Sequence, residues 1–182
     1  GSYMDLKVNK EAVRYCEKIC SCTQEQSIEL DYVLPDYYPE IFRIVKCIAE
    51  PQITACAVNG SKAVYELTVC LKVIYCSEGS KVPQAVEQKL VYSRTAELDR
   101  PADAPSVYIT AVSDHINCRA VNRRRIDVRG TVTVNVCIMG ENVTETVCEA
   151  FGENIQLRKK SCLCPSQVIR TQKRAVVSDD LS

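Results

Sequence analysis

The stretch Glu66–Cys76, ELTVCLKVIYC, alternates with period two. Leu67, Val69, Leu71, Val73 and Tyr75 fall on one side of an extended chain, and Thr68, Cys70, Lys72, Ile74 and Cys76 on the other. A helix would scatter the apolar set around its axis, whereas a strand gathers it on one core-facing side. Asn59-Gly60 precedes the run and Ser77-Glu78-Gly79 follows it, and both are turn chemistry that reverses a chain into a hairpin. The expected local architecture is an antiparallel meander.

The pattern recurs. AVNGSKAVYELTVCLKVIY, from Ala57 to Tyr75, aligns at a constant offset of 63 with AVNRRRIDVRGTVTVNVCI, from Ala120 to Ile138. Val69, Leu71, Val73 and Tyr75 fall opposite Val132, Val134, Val136 and Ile138, so the apolar face keeps its phase. Shared phase points to an internal duplication; generic valine-rich alternation is the bland alternative. Residues 27–34, 52–59, 84–98, 107–122, 142–148 and 154–161 read as further extended segments, and RPADAP, residues 100–105, as the one obvious linker. The expected fold class is mainly β: two related antiparallel β-modules, sandwich-like, at residues 26–99 and 106–165. Residues 1–25 would form an N-terminal arm and residues 166–182 a C-terminal tail.

LPDYYPEIFRIVKCIAEP, residues 34–51, breaks the alternation. Ile41, Ile44, Val45 and Ile48 recur at three-and-four spacing, Pro39 and Glu40 suit a first helical turn, and Pro51 suits a stop. This predicts one short helix near residues 38–48 that caps the β core, with Asp36, Tyr37 and Tyr38 at its exposed entry.

At 182 residues the chain can bury a core without obligatory cross-links. Twenty-three basic and twenty-three acidic residues cancel, so no global field points to nucleic acid or an anionic membrane. No apolar stretch approaches the length of a membrane span, and the first residues lack a signal peptide's basic end and apolar middle. Twelve cysteines are many for such a chain. Two readings stay open: reduced thiols acting as small hydrophobes, or thiols oxidised after transfer to another compartment.

Sites for chemistry are sparse. His115 is the single histidine, and its neighbours Ser113 and Asp114 alternate faces of a strand, which does not build a catalytic triad. The six glycines form no phosphate-binding loop. No enzyme activity and no cofactor are expected. Cys16, Cys20 and Cys22 near the start and Cys162 and Cys164 near the end could hold a metal, but their spacing departs from paired C-x2-C knuckles. Separated by one residue on a strand, Cys20 with Cys22 and Cys162 with Cys164 would each present two thiols on one side, an arrangement suited to cross-linking. Arg119, Arg123, Arg124, Arg125 and Arg129 form a basic cluster without interleaved aromatics. Arg123, Arg124 and Arg125 are accordingly expected at a hairpin tip as an interaction patch that pairs with acids. Two glycosylation-like triplets, at Asn59 and Asn142, are discounted as chance matches.

With these pieces in place, the chain resembles the SPOCS domain family, the modules of SipL-type spore morphogenetic proteins of clostridia and bacilli. YVLPDYYPEIFRIVKCIAEPQI and AVNRRRIDVRGTVTVNVCI carry the resemblance, which covers about residues 26–150. It implies a structural role without catalytic residues, made in the mother-cell cytoplasm and deposited in the spore coat or on the spore surface. The chain departs from longer SipL-type proteins in its cysteine density and in showing no LysM segment. The expected function is a self-associating spore protein, in a coat or a surface fibre, locked by intermolecular disulfides through Cys16, Cys20, Cys22, Cys162 and Cys164. Its partners would be copies of itself and other spore coat proteins. The alternatives are a monomeric adaptor docking other coat proteins, and a cysteine-based metal or redox sensor.

Overall fold

The computed structural model describes residues 9–148, 169–173 and 175–177, with side chains described for residues 14–142. Its strands are β1 (Asn9–Val33), β2 (Arg43–Asn59), β3 (Lys62–Cys76), β4 (Gln84–Glu97), β5 (Ser106–Asn122), β6 (Arg125–Cys148), β7 (Ile169–Lys173) and β8 (Ala175–Val177). They form two four-stranded sheets in the orders β1-β6-β5-β7 and β4-β3-β2-β8. Every pairing is antiparallel except that of β7 with β5. One cluster of buried side chains joins the two inner faces, so the molecule is a mainly β, sandwich-like fold.

The repeated stretches form the matching hairpins β2–β3 and β5–β6, one in each sheet. Val69, Leu71, Val73 and Tyr75 are buried, and so are Val132, Val134, Val136 and Ile138. The strict alternation of both copies therefore does what its period requires: one face fills the core and the other meets solvent or partial cover.

Two expectations need correction. No helix is present among the described residues: residues 34–42 are an irregular loop, and Arg43–Ile48 opens β2. Pro35 and Pro39 remove backbone donors from the loop, and its carbonyls find partners elsewhere. Arg124 donates to the carbonyl oxygens of Pro35 at 2.7 Å and Tyr38 at 3.1 Å, and the Tyr75 hydroxyl donates to that of Pro39 at 2.8 Å. The three-residue spacing of Ile41, Ile44 and Cys47 comes from the loop and from a β-bulge between Ile44 and Lys46, where an extra residue imitates a helical interval.

The second correction concerns residues 1–25 and the first module. From Asn9 onward the chain is strand β1, which pairs along its whole length with β6. The sheet built on β5 and β6 thus takes its edge strand from residues 9–33, so the two sheets do not follow the expected division at residue 100.

The two seams of the sandwich are closed differently. Between β1 and the β3–β4 hairpin, Gln24 donates to the carbonyl of Thr95 at 2.9 Å, Arg94 donates to the carbonyl of Glu25 and to Gln26 Oε1, and Tyr65 of β3 donates to Gln24. Between β2 and β5, Ser113 Oγ donates to the carbonyl of Ala49 at 3.3 Å. There β7 runs along Tyr108–Val112 of β5 and β8 along Cys47–Ala49 of β2.

Candidate assembly surface

The two ends of the molecule differ. β5 accompanies β6 only as far as Met139, so residues 140–148 of β6 pair with residues 9–17 of β1 alone among the described residues. Nine residue pairs at about 3.4 Å per residue make a two-stranded ribbon on the order of 30 Å long. Such a ribbon is marginal by itself, because among the described residues it has no third strand, and its sequence offers little apolar surface to bury. Its base is anchored. A register shift between Lys18 and Cys20 drives Ile19 into the core, where it packs against the linker residue Ala102 across Gly140. Arg100 meets Glu17 at 3.2 Å.

The opposite end gathers the β1–β2 loop, the β3–β4 turn and the β5–β6 hairpin tip. Five of the seven exposed large apolar side chains among the described residues lie there: Val33, Tyr37, Phe42, Val82 and Val121. Tyr37, 83% exposed, is the most open of them and stacks at a tilt on Tyr38. Hydrophobic exposure this concentrated is the usual mark of an interaction surface.

The three hairpin arginines sit among these side chains but do different jobs. Arg124 is turned onto the loop and is committed to the Pro35 and Tyr38 carbonyls, so it is a structural clamp. Backbone bonds from Leu34 N–H to the Arg124 carbonyl and from Ile41 N–H to the Arg123 carbonyl, both 2.7 Å, seat the loop on the hairpin. Arg123 reaches Glu40 and Glu78 at 3.7 Å, and Arg125 makes a two-pronged pair with Asp31. That pairing holds the Asp31 carboxyl below the usual carboxylate range. Arg123 and Arg125 are exposed, whereas Arg124 is half-buried against the loop. Farther along the hairpin, Arg119 and Arg129 flank Asp127 at 3.7 and 3.4 Å.

The cysteines divide into classes. Cys16 is disulfide-bonded. Cys20 and Cys22 lie on the same side of β1 with sulfurs 4.0 Å apart. Burial, then the neighbouring Cys22, pushes the Cys20 thiol up to about 11, so it stays protonated and unreactive in neutral solution. Cys22 is half-buried and not disulfide-bonded. Cys162 and Cys164 lie outside the described residues.

His115 is exposed and sits with φ +52° in a bulge of β5. No group of three or more His, Cys, Asp or Glu side chains that could hold a metal occurs among the described residues. A hollow of about 410 Å³ beside the linker is lined by Arg100, Pro101, Ala102, Asp103 and Glu141, charges of both signs with no converging set. No helix of the described residues is long and apolar enough to cross a membrane. The sequence placed Tyr37 at an exposed position but missed the wider apolar end it forms with Val33, Phe42, Val82 and Val121; Phe42, set among prolines and charges, was the signal to find it by. No family model matches the chain, and no curated protein or solved structure matches it.

Proposed function

We propose that this chain is a structural building block that associates with copies of itself end to end, and that it serves in a bacterial spore coat or spore-surface appendage. The observation that carries the first half is the polarity of the fold. One end is a β1–β6 ribbon lacking a third strand among the described residues, and the other is an apolar, arginine-bearing surface. Unpaired N–H and C=O groups along a ribbon favour addition of a strand from a neighbour. The C-terminal strands offer a model for such addition, since β7 and β8 already complete the edges of β5 and β2. The SPOCS resemblance supports the second half, with synthesis in the mother-cell cytoplasm and deposition on the spore. Intermolecular disulfides would then lock reversible contacts, with Cys22, Cys162 and Cys164 as the cross-linking thiols.

Electron microscopy of the purified chain, with size exclusion run with and without reductant, tests this. Fibres or sheets that dissolve only with reductant are expected. A monomer under both conditions overturns self-assembly and leaves the adaptor reading, in which the Tyr37–Phe42 end docks another coat protein.

A further inference from the structure

Two bulges, one in β2 and one in β5, turn two thiols inward from adjoining strands into the same core. In β2 the inward residues run Ile44, Cys47, Ala49, Pro51 and Ile53, and the step of three at the start is the bulge between Ile44 and Lys46. In β5 they run Val107, Ile109, Ala111 and Ser113, then Ile116, Cys118 and Ala120. The change from odd to even numbers is the bulge between Asp114 and Asn117, where His115 takes φ +52°, a conformation costly for a residue with a Cβ. Without that bulge the inward positions would be Asn117 and Arg119, and Cys118 would face outward. As built, Cys47 and Cys118 both point inward from adjoining strands into the one buried cluster. Both are buried, at 1% and 0% exposure, and neither is in a disulfide. Farther along the same seam, the bond from Ser113 Oγ to the Ala49 carbonyl fixes the approach of the two strands. Bulges placed so as to re-aim side chains are designed features rather than defects.

We infer that Cys47 and Cys118 are a site of oxidative modification, forming a disulfide that staples β2 to β5 and hence one sheet to the other. The oxidant is a small-molecule disulfide. The Cys47 thiolate attacks one of its sulfurs, making a mixed disulfide and releasing one thiolate. Cys118 then attacks the Cys47 sulfur, making the Cys47–Cys118 bond and releasing the second. The two protein thiols lose two electrons and two protons, and one small disulfide becomes two thiols. The neighbouring Cys118 side chain holds the Cys47 thiol below its ordinary pKa despite burial, which favours the first attack. Because the core excludes the oxidant, the reaction belongs to folding, before the sheets close, or to transient opening. The inference does not rest on the assembly reading, since a monomer would form the bond equally.

The test is oxidative refolding of the reduced full-length chain in a mixture of oxidised and reduced glutathione, then alkylation under denaturing conditions and peptide mapping by mass spectrometry. A Cys47–Cys118 linked peptide is expected. The refolded protein should melt roughly 10 °C above the reduced one, because the bond closes a long loop of the unfolded chain. Cys118→Val should remove that gain and leave the reduced melting point nearly unchanged. Alkylation of both cysteines, a link from either to a different cysteine, or a linked peptide without a rise in melting temperature overturns the inference. The wild-type map decides the matter even if Cys118→Val does not fold.

Discussion

The hairpins β2–β3 and β5–β6 share a sequence pattern, a core face and a bulge in the first strand, yet they fill the core differently. Leu67 of the first stands at the position of Gly130 in the second. In the first hairpin the bulge between Ile53 and Ala55 leaves Leu67 to pack as an ordinary inward residue, fully buried. In the second, the larger bulge between Asp114 and Asn117 lays Ile116 across Gly130. A Cβ built there would lie 2.3 Å from Ile116 Cδ1 and 3.1 Å from its Cα. One copy fills its layer with its own leucine, and the other borrows an isoleucine from the facing strand. A duplicated pattern thus conserves phase, while the identity of the filling residue follows local bulge geometry.

The largest effects should come from this pair. Leu67→Ala removes buried methyl groups and should cost about 3 kcal/mol. Gly130→Ala adds a single methyl and should still cost roughly 1–3 kcal/mol, because the nearest obstacles include the backbone of Ile116. Chemical denaturation of both variants under reducing conditions measures this. A neutral Gly130→Ala would mean that Ile116 can move aside and that the second bulge is not tightly packed.

The hairpin tips give the next contrast. Arg124 occupies the place of Ser61, and the two positions differ entirely in burden. Arg124→Ala should release the loop at residues 34–42 and cost about 2 kcal/mol, the range for hydrogen bonds made by a charged group. Ser61→Ala, at an exposed side chain, should cost almost nothing. Hydrogen exchange resolves the two, since only Arg124→Ala should speed exchange at Leu34 and Ile41, whose N–H groups bond to the hairpin tip. Gly60→Ala comes third, at about 1 kcal/mol. Its φ is +59° and nothing lies within 4 Å, so the cost is one of backbone conformation alone. The second tip has no positive φ at Arg123 or Arg124 and instead takes a register shift between Ala120 and Asn122.

Much of the fold was legible because period-two alternation is a local property: Val69 to Tyr75 and Val132 to Ile138 declare a strand and its buried face without any neighbour. What was not legible depended on exceptions to that period. The bulge at Val45 made β2 resemble a helix, and the bulge at His115 hid the inward turn of Cys118, since neither is marked by a glycine or proline at the inserted residue. The membership of β1 was also hidden. Its start, Asn9 to Cys22, mixes charges and cysteines, and its partner β6 lies more than a hundred residues away, so only the register of the whole sheet assigns it. For the candidate surface, composition located the arginines at a hairpin tip but could not say that Arg124 turns inward while Arg123 and Arg125 stay outside. That division depends on the carbonyls of a loop whose path was misread.

The smallest effect concerns Arg125, which stands where the first copy has Lys62. Arg125 holds Asp31 of β1 through two guanidinium nitrogens, one at 2.8 Å, and the carboxyl is thereby depressed below its ordinary range. A carboxyl whose folded pKa lies below its unfolded one adds stability above the unfolded value and loses it as pH falls through the folded value. The pair therefore helps at neutral pH and ceases to help in acid. Both side chains are open to solvent, so the contribution is screened and stability measurements should barely register it. A carbon-detected NMR titration will. The Asp31 midpoint should lie below that of an ordinary aspartate, return to the ordinary range in Arg125→Ala, and recover only partly in Arg125→Lys, which restores the charge of the first copy without the fork. An unchanged midpoint in Arg125→Ala would show that β1 and the hairpin tip do not meet here in solution, and would remove Arg125 from the contacts that hold the edge strand in register.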